Sequence, residues 1–176
     1  MPEITELILT DHAEMRRAFA RLDELRAANA SSEELGRCWS DLATLLDVHA
    51  AAEEELVYPK LLRRGDNAAE ETDDAIRDHN DIRDAVSKAG AESVGTASWW
   101  AAVLEARESN SDHMAEEERE PLPDLRLNVA LEDREEIGRR WMEYKHAHPT
   151  AAGLRRDLDP KRYIEANESA GAAGPS

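Results

Sequence analysis

A histidine followed four residues later by a glutamate occurs twice in this chain, each time beside further carboxylates and just ahead of a proline. His49 and Glu53 open the stretch HAAAEEELVYPKLL, and His113 and Glu117 open HMAEEEREPLPDL. Four residues turn an α-helix through about 400°, so each pair projects from one face a turn apart. Two further histidines, His12 and His79, stand singly, each preceded by an aspartate. The order along the chain is therefore His, His-x-x-x-Glu, His, His-x-x-x-Glu.

Neutral imidazoles and ionised carboxylates are natural ligands of metal ions. Buried together without a cation they destabilise a fold by about several kcal/mol, because ionised groups lose their hydration. A set of six nitrogen and oxygen donors without cysteine points away from structural zinc, which prefers four ligands and often sulfur. It suits two octahedral ions sharing carboxylates, iron first and manganese second.

Helices must position these donors. From about residue 3 to 28, Ile4, Ile8, His12, Met15, Phe19 and Leu22 recur in steps of three and four, which places His12 on the apolar stripe of an amphipathic helix. Asn29 ends that helix, and Ser31 or Ser32 can cap the next. From 32 to 63, Leu35, Cys38, Leu42, Leu45, His49, Ala52 or Glu53, and Leu56 form the second stripe. Pro59 removes a donor and clashes with the Glu55 carbonyl, predicting a kink or bulge. The third helix, about 68 to 89, carries Thr72, Ala75 or Ile76, His79, Ile82 and Val86. The fourth, about 97 to 119, carries Trp99, Val103, Ala106, Asn110, His113 and Glu117. Four such helices with short links predict an all-α, antiparallel up-down four-helix bundle over residues 1–125. Leu131, Ile137, Trp141 and Tyr144 predict a further helix, packed on the bundle, within 126–148. Residues 149–176, rich in Ala, Gly, Pro and charge, are expected to form a flexible tail, disordered over its last dozen residues.

Asp plus Glu number 39 against 22 Lys plus Arg, a net charge of −17. That balance argues against nucleic acid and against anionic membrane surfaces as partners. No signal-peptide pattern and no apolar run long enough for a bilayer stands out. The single cysteine, Cys38, leaves no internal disulfide and suits a cytoplasmic protein, with Cys38 as a small core residue.

The ordered string His12, His49-x-x-x-Glu53, His79, His113-x-x-x-Glu117 resembles the hemerythrin family in its bacterial hemerythrin-like (HHE) branch, over about residues 3–125. That resemblance implies two non-haem iron ions joined by an oxo or hydroxo bridge. The four histidines would be terminal ligands, and Glu53 and Glu117 would bridge or cap the pair. One departure matters. Hemerythrins proper carry His-x-x-x-His on the third helix, whereas here Arg83 stands four residues after His79 and Ala75 four before. A coordination position is then open or filled by another side chain, and Tyr58 is the candidate. On an ideal helix Tyr58 would lie about 140° from Glu53, facing away, unless the distortion at Pro59 turns it inward. The alternative is that Tyr58 packs between helices or reaches a backbone carbonyl. Arg83 is expected to snorkel to solvent or pair with a glutamate. Glu54, Glu55, Glu116 and Glu118 belong to the solvated face, with Glu116 within reach of the site from i+3. His146 and His148 lie beyond the bundle.

By the same resemblance the function is to bind dioxygen or a related small oxidant, for oxygen or redox sensing, iron handling or protection from oxidative stress. The alternative is a catalase- or peroxidase-like enzyme that decomposes hydrogen peroxide, and no residue is assigned as catalytic. A third reading is a metal-free helical bundle that acts through its acidic face. Nothing in the residues fixes an oligomeric state.

Overall fold

A computed structural model of the chain describes residues 2–154 and 157–172, the last three by backbone alone. Every regular element among the described residues is helical. The long elements are α1 (Ile4–Ala27), α2 (Ser32–Ala52), α4 (Ala68–Ala91) and α5 (Ala97–Arg119). A π-helical turn (Glu53–Val57) continues α2 into the short α3 (Tyr58–Arg64), and α6 (Pro121–Asn128) follows α5. Beyond them come α7 (Leu131–Ala147) and α8 (Pro160–Ala172).

Local chemistry sets the boundaries. Asn29 adopts a left-handed backbone, φ 51°, which asparagine tolerates better than most residues, and so ends α1. Ser31 and Glu34 then form a reciprocal capping box at the start of α2. Thr96 caps α5 by accepting the Trp99 N–H. Pro121 sits at the first position of α6, where a missing N–H costs least.

The helices form a bundle in which α1 packs on α2, α4 on α5, α2 on α4 and α1 on α5. Its interior is layered. One apolar layer gathers Met15, Phe19, Leu22, Trp39, Leu42, Ile82, Trp99 and Val103. The other gathers Ile4, Ile8, Leu56, Val57, Leu61, Ile76, Leu125 and Trp141. Between them lies a belt of buried polar side chains: His12, His49, Glu53, His79, His113 and Glu117, each at most 3 % exposed. On α1, α2 and α4 the histidine falls between residues of the two layers, and on α5 His113 lies at the end of the first layer, the second resuming at Leu122 of α6.

The apolar stripe of α2 runs through Leu35, Trp39, Leu42, Leu46 and His49. Cys38 and Leu45, expected on that stripe, sit half-buried at its edge, and Trp39 takes the interior place against Trp99, their rings 6.1 Å apart. The preference is for volume, since indole fills a gap that a thiol leaves open.

Helix α7 lies against α1 and α2. Gly138 permits this, because a Cβ there would stand 2.6 Å from the Pro2 carbonyl oxygen. Residues 149–176, expected as a flexible tail, include α8, which packs on α3 and α4. Asn80 holds the approach to α8 at both ends of its amide, donating to the Leu158 carbonyl at 2.8 Å and accepting the Leu158 N–H at 3.1 Å. The Tyr163 hydroxyl donates to the Glu54 carbonyl. These few anchors are too sparse to form a periodic apolar pattern. Residues 155–156 and 173–176 of the expected tail lie outside the described residues.

Candidate metal centre

The polar belt divides into two donor groups that share one carboxylate. His12, His49, Glu53 and Glu117 form the first, their donor atoms within 4.8 Å of one another; Glu53, His79 and His113 form the second. Glu53 is fully buried, with Oε1 3.1 Å from His49 Nε2 and Oε2 3.2 Å from His79 Nε2. Glu117 Oε2 lies 3.3 Å from His12 Nε2. His79 and His113 turn their Nε2 atoms toward each other at 3.1 Å. Lone pairs so placed repel unless a proton or a cation lies between them.

Several of these atoms lack a hydrogen-bond partner: His12 Nε2, His49 Nε2, Glu53 Oε1 and both oxygens of Glu117. Buried polar groups are rarely left so. Convergent imidazole nitrogens and carboxylate oxygens without hydrogen bonds are what hard or borderline metal ions require, so the donor set fits metal binding.

Each imidazole is held from behind through its other nitrogen. Asp11 on α1 faces His49 Nδ1 on α2 at 3.2 Å, and Glu54 faces His79 Nδ1 on α4 at 2.9 Å. Asp78 on α4 faces His113 Nδ1 on α5 at 3.3 Å, and Glu118 on α5 returns to His12 Nδ1 on α1 at 2.8 Å. The four contacts close a ring around the bundle, each carboxylate adjacent in sequence to a site residue of its own helix and holding the histidine of the next. With Nδ1 carrying the hydrogen toward a carboxylate, Nε2 presents its lone pair inward. Three of the carboxylates are themselves held by cations: Asp11 by Lys145 at 2.6 Å, Glu54 by Arg83 at 2.9 Å and Glu118 by Arg16 at 2.8 Å. Trp141 of α7 meets the His49 ring edge-on at 5.3 Å.

Tyr58 reaches the belt through the π turn. An i→i+5 bond from the Tyr58 N–H to the Glu53 carbonyl widens the helix, so residue 58 comes to lie over residue 53. Pro59, at the start of α3, cannot donate to Glu55, and the wider turn relieves its clash. The Tyr58 hydroxyl is fully buried, donating to Glu53 Oε2 at 3.3 Å and lying 3.4 Å from His79 Nε2. It faces the site, not a backbone carbonyl. Burial, reinforced by Glu53, Glu117 and Glu54, pushes its phenol well above the ordinary tyrosine value.

All seven candidate residues, His12, His49, Glu53, Tyr58, His79, His113 and Glu117, come together. Arg83, at the position where hemerythrins proper carry a histidine, is only 3 % exposed and pairs with Glu54 rather than snorkelling. Glu54 and Glu118, expected on the solvated face, instead orient His79 and His12. Glu116 is exposed and joins neither donor group. His148 packs tilted against the Tyr144 ring, and His146 is exposed. The roles of Asp11, Asp78, Lys145 and Trp141 are not evident from helical spacing. For Asp11 and Asp78 the one signal is that each precedes a lone histidine, though each acts across helices.

An all-α bundle whose buried belt holds paired donor groups is compatible with a metal-binding helical protein. Residues 3–125 match the model of the Hemerythrin HHE cation binding domain, and the chain belongs to that family. No curated protein and no solved structure matches the chain.

Two outcomes follow from this geometry. Asp11→Asn removes the charge behind His49 while keeping its shape, and is expected to weaken metal binding about 10- to 100-fold in a competition titration. The second concerns pH. In the metal-free chain, burial lowers the His49 imidazole, but Glu53 and Asp11 outweigh it and raise the group to about 10. Burial raises Glu53, and His49 and His79 reverse this and hold it well below the usual carboxylate range. Stability from a raised imidazole is complete below its unfolded value of about 6.5 and declines as pH rises toward the folded one; that from a lowered carboxylate is lost on the acid side. The metal-free melting temperature should therefore fall between about pH 6.5 and pH 10, whereas bound metal replaces the proton and flattens that limb. Equal alkaline slopes in the two forms would contradict the assignment.

Proposed function

We propose that the chain is a non-haem di-iron protein that binds dioxygen or a related small oxidant. The observation that carries this reading is the sharing of buried Glu53 between two donor groups, since one carboxylate with an oxygen toward each group suits two ions better than one. In this reading His12, His49 and Glu117 would hold one ion and His79, His113 and Tyr58 the other, with Glu53 available to both. The all-nitrogen-and-oxygen set favours iron, with manganese second. The short links at 28–31, 65–67 and 92–96 support an antiparallel up-down arrangement of the four long helices, with residues 1–125 as the metal-holding unit and α7 as its buttress. The lone cysteine fits a reducing cytoplasm, and the −17 charge keeps nucleic acid and anionic membranes away.

Iron held there supplies Lewis acidity and reversible electron exchange with a small oxidant. The residues of the chain do the rest. The carboxylate ring fixes four imidazoles in one tautomer, and the apolar layers flank the belt on either side. In the metal-free chain Tyr58 holds a proton on its hydroxyl beside Glu53, a proton it would give up as an iron ligand.

That hydroxyl also favours a second reading, the turnover of hydrogen peroxide, because a buried phenol next to a carboxylate can give and take back a proton. Adding peroxide to the iron-loaded chain separates the two. Sustained oxygen release over many turnovers marks the enzyme, and bleaching after about one turnover marks the binding protein. Tyr58→Phe should abolish a long-wavelength phenolate-to-iron band; a band unchanged by the substitution removes Tyr58 from the ligand set. His49→Ala is expected to lose both bound iron and thermal stability. Unchanged stability in that variant would instead favour the metal-free bundle.

A further inference from the structure

Between α4 and α5 a cavity of about 230 Å³ runs from the surface to the belt, and its floor is His113 and Glu117. Its walls are acidic: Glu70, Glu71, Asp74 and Asp78 on the α4 side, Glu116 and Glu120 on the α5 side, with no lysine or arginine in the lining. Glu117 at the floor is only 2 % exposed, and neither of its oxygens has a hydrogen-bond partner. On the wall Glu71 Oε2 is likewise buried and without a partner. So many carboxylates facing one concavity repel one another. Burial, with Asp124 and Glu120 adding, holds the Glu71 carboxyl up to about 7.

We infer that this cavity is the loading vestibule of the metal centre: its wall carboxylates draw in a hydrated divalent cation and pass it to Glu117 and His113. Low-dielectric walls of one charge sign concentrate counter-ions and raise their on-rates by about 10- to 1,000-fold. The volume admits a cation with part of its water shell, each water needing on the order of 10–30 Å³. The buried Glu117 carboxylate at the floor, which faces His12 Nε2 without a hydrogen bond, would be a first oxygen ligand for an ion arriving from this side. The wall residues Glu70, Glu71 and Asp74 belong to neither donor group, so their role is to draw the ion in and not to ligate it. The inference rests on the reading of the belt as a metal centre.

The test mixes the metal-free full chain with Co²⁺, whose ligand-field bands report uptake in a stopped-flow instrument. The triple variant Glu70→Gln, Glu71→Gln, Asp74→Asn is compared with a control triple, Asp41→Asn, Glu92→Gln, Glu108→Gln. At about pH 8, above the Glu71 value of about 7, both sets remove nearly the same charge, the second from sites outside the vestibule lining. Vestibule neutralisation should slow uptake at least about tenfold at low salt, while the control stays within about twofold and all three chains reach the same final metal content. Added salt should slow the unsubstituted chain toward the vestibule variant. Equal rates in all three chains, or equal slowing in both triples, overturns the inference, as does a lower final metal content in the vestibule variant. A wild-type chain that retains no cobalt and no iron at equilibrium overturns the metal-centre reading itself.

Discussion

The Glu53 carboxylate is the constraint on which the rest of the structure depends. It has no exposed surface, yet it is held ionised. An isolated charge so placed would destabilise the fold by several kcal/mol or more, on the order found when a buried ion pair loses one partner. Around it stand His49, His79 and the Tyr58 hydroxyl, and behind the imidazoles stand carboxylates that are mostly paired with cations of their own. The alternation of sign outward from Glu53, through imidazole and carboxylate to Lys145, Arg83 and Arg16, spreads one buried charge across the bundle. In the metal-free chain, the raised His49 and His79 imidazoles offset that charge with their protons. Metal would displace those protons, which couples metal binding to pH and to folding.

The π turn is the second condition. An uninterrupted α-helix through residues 53–58 would aim Tyr58 away from Glu53, and Pro59 would clash with the turn behind it. The turn at Glu53–Val57 resolves both through one extra residue. It also places Glu54 where it meets both His79 and Arg83. A single backbone adjustment thus sets the carboxylate common to both donor groups, a phenol and an orienting carboxylate together. Arg83 belongs to the same adjustment, since the guanidinium serves the charge network at the position where a ligand histidine would otherwise stand.

Much of this is legible in the residues. The four histidines and two glutamates fall on apolar helical stripes, and spacing alone places them inside. The boundaries of α1, α4 and α5 follow from caps and turn residues. Tyr58 is legible only as a choice, because ideal helical geometry points it outward and the size of the Pro59 distortion cannot be read from composition. The outer ring is hidden for a different reason. Asp11, Glu54, Asp78 and Glu118 act on the neighbouring helix, so a carboxylate reads as solvated face until the interhelical contact is known. Helix α8 is anchored by Leu158, Tyr163 and the Asn80 amide, a handful of contacts that leave no period in the sequence.

The central claim is that two ions share Glu53. Its most direct test is the iron content per chain of protein produced with ample iron, measured by plasma mass spectrometry beside the Glu53→Gln variant. Close to two irons per chain, with one or none in the variant, is the expected result. One iron per chain in both, or a well-folded helical protein that holds no metal, would contradict it.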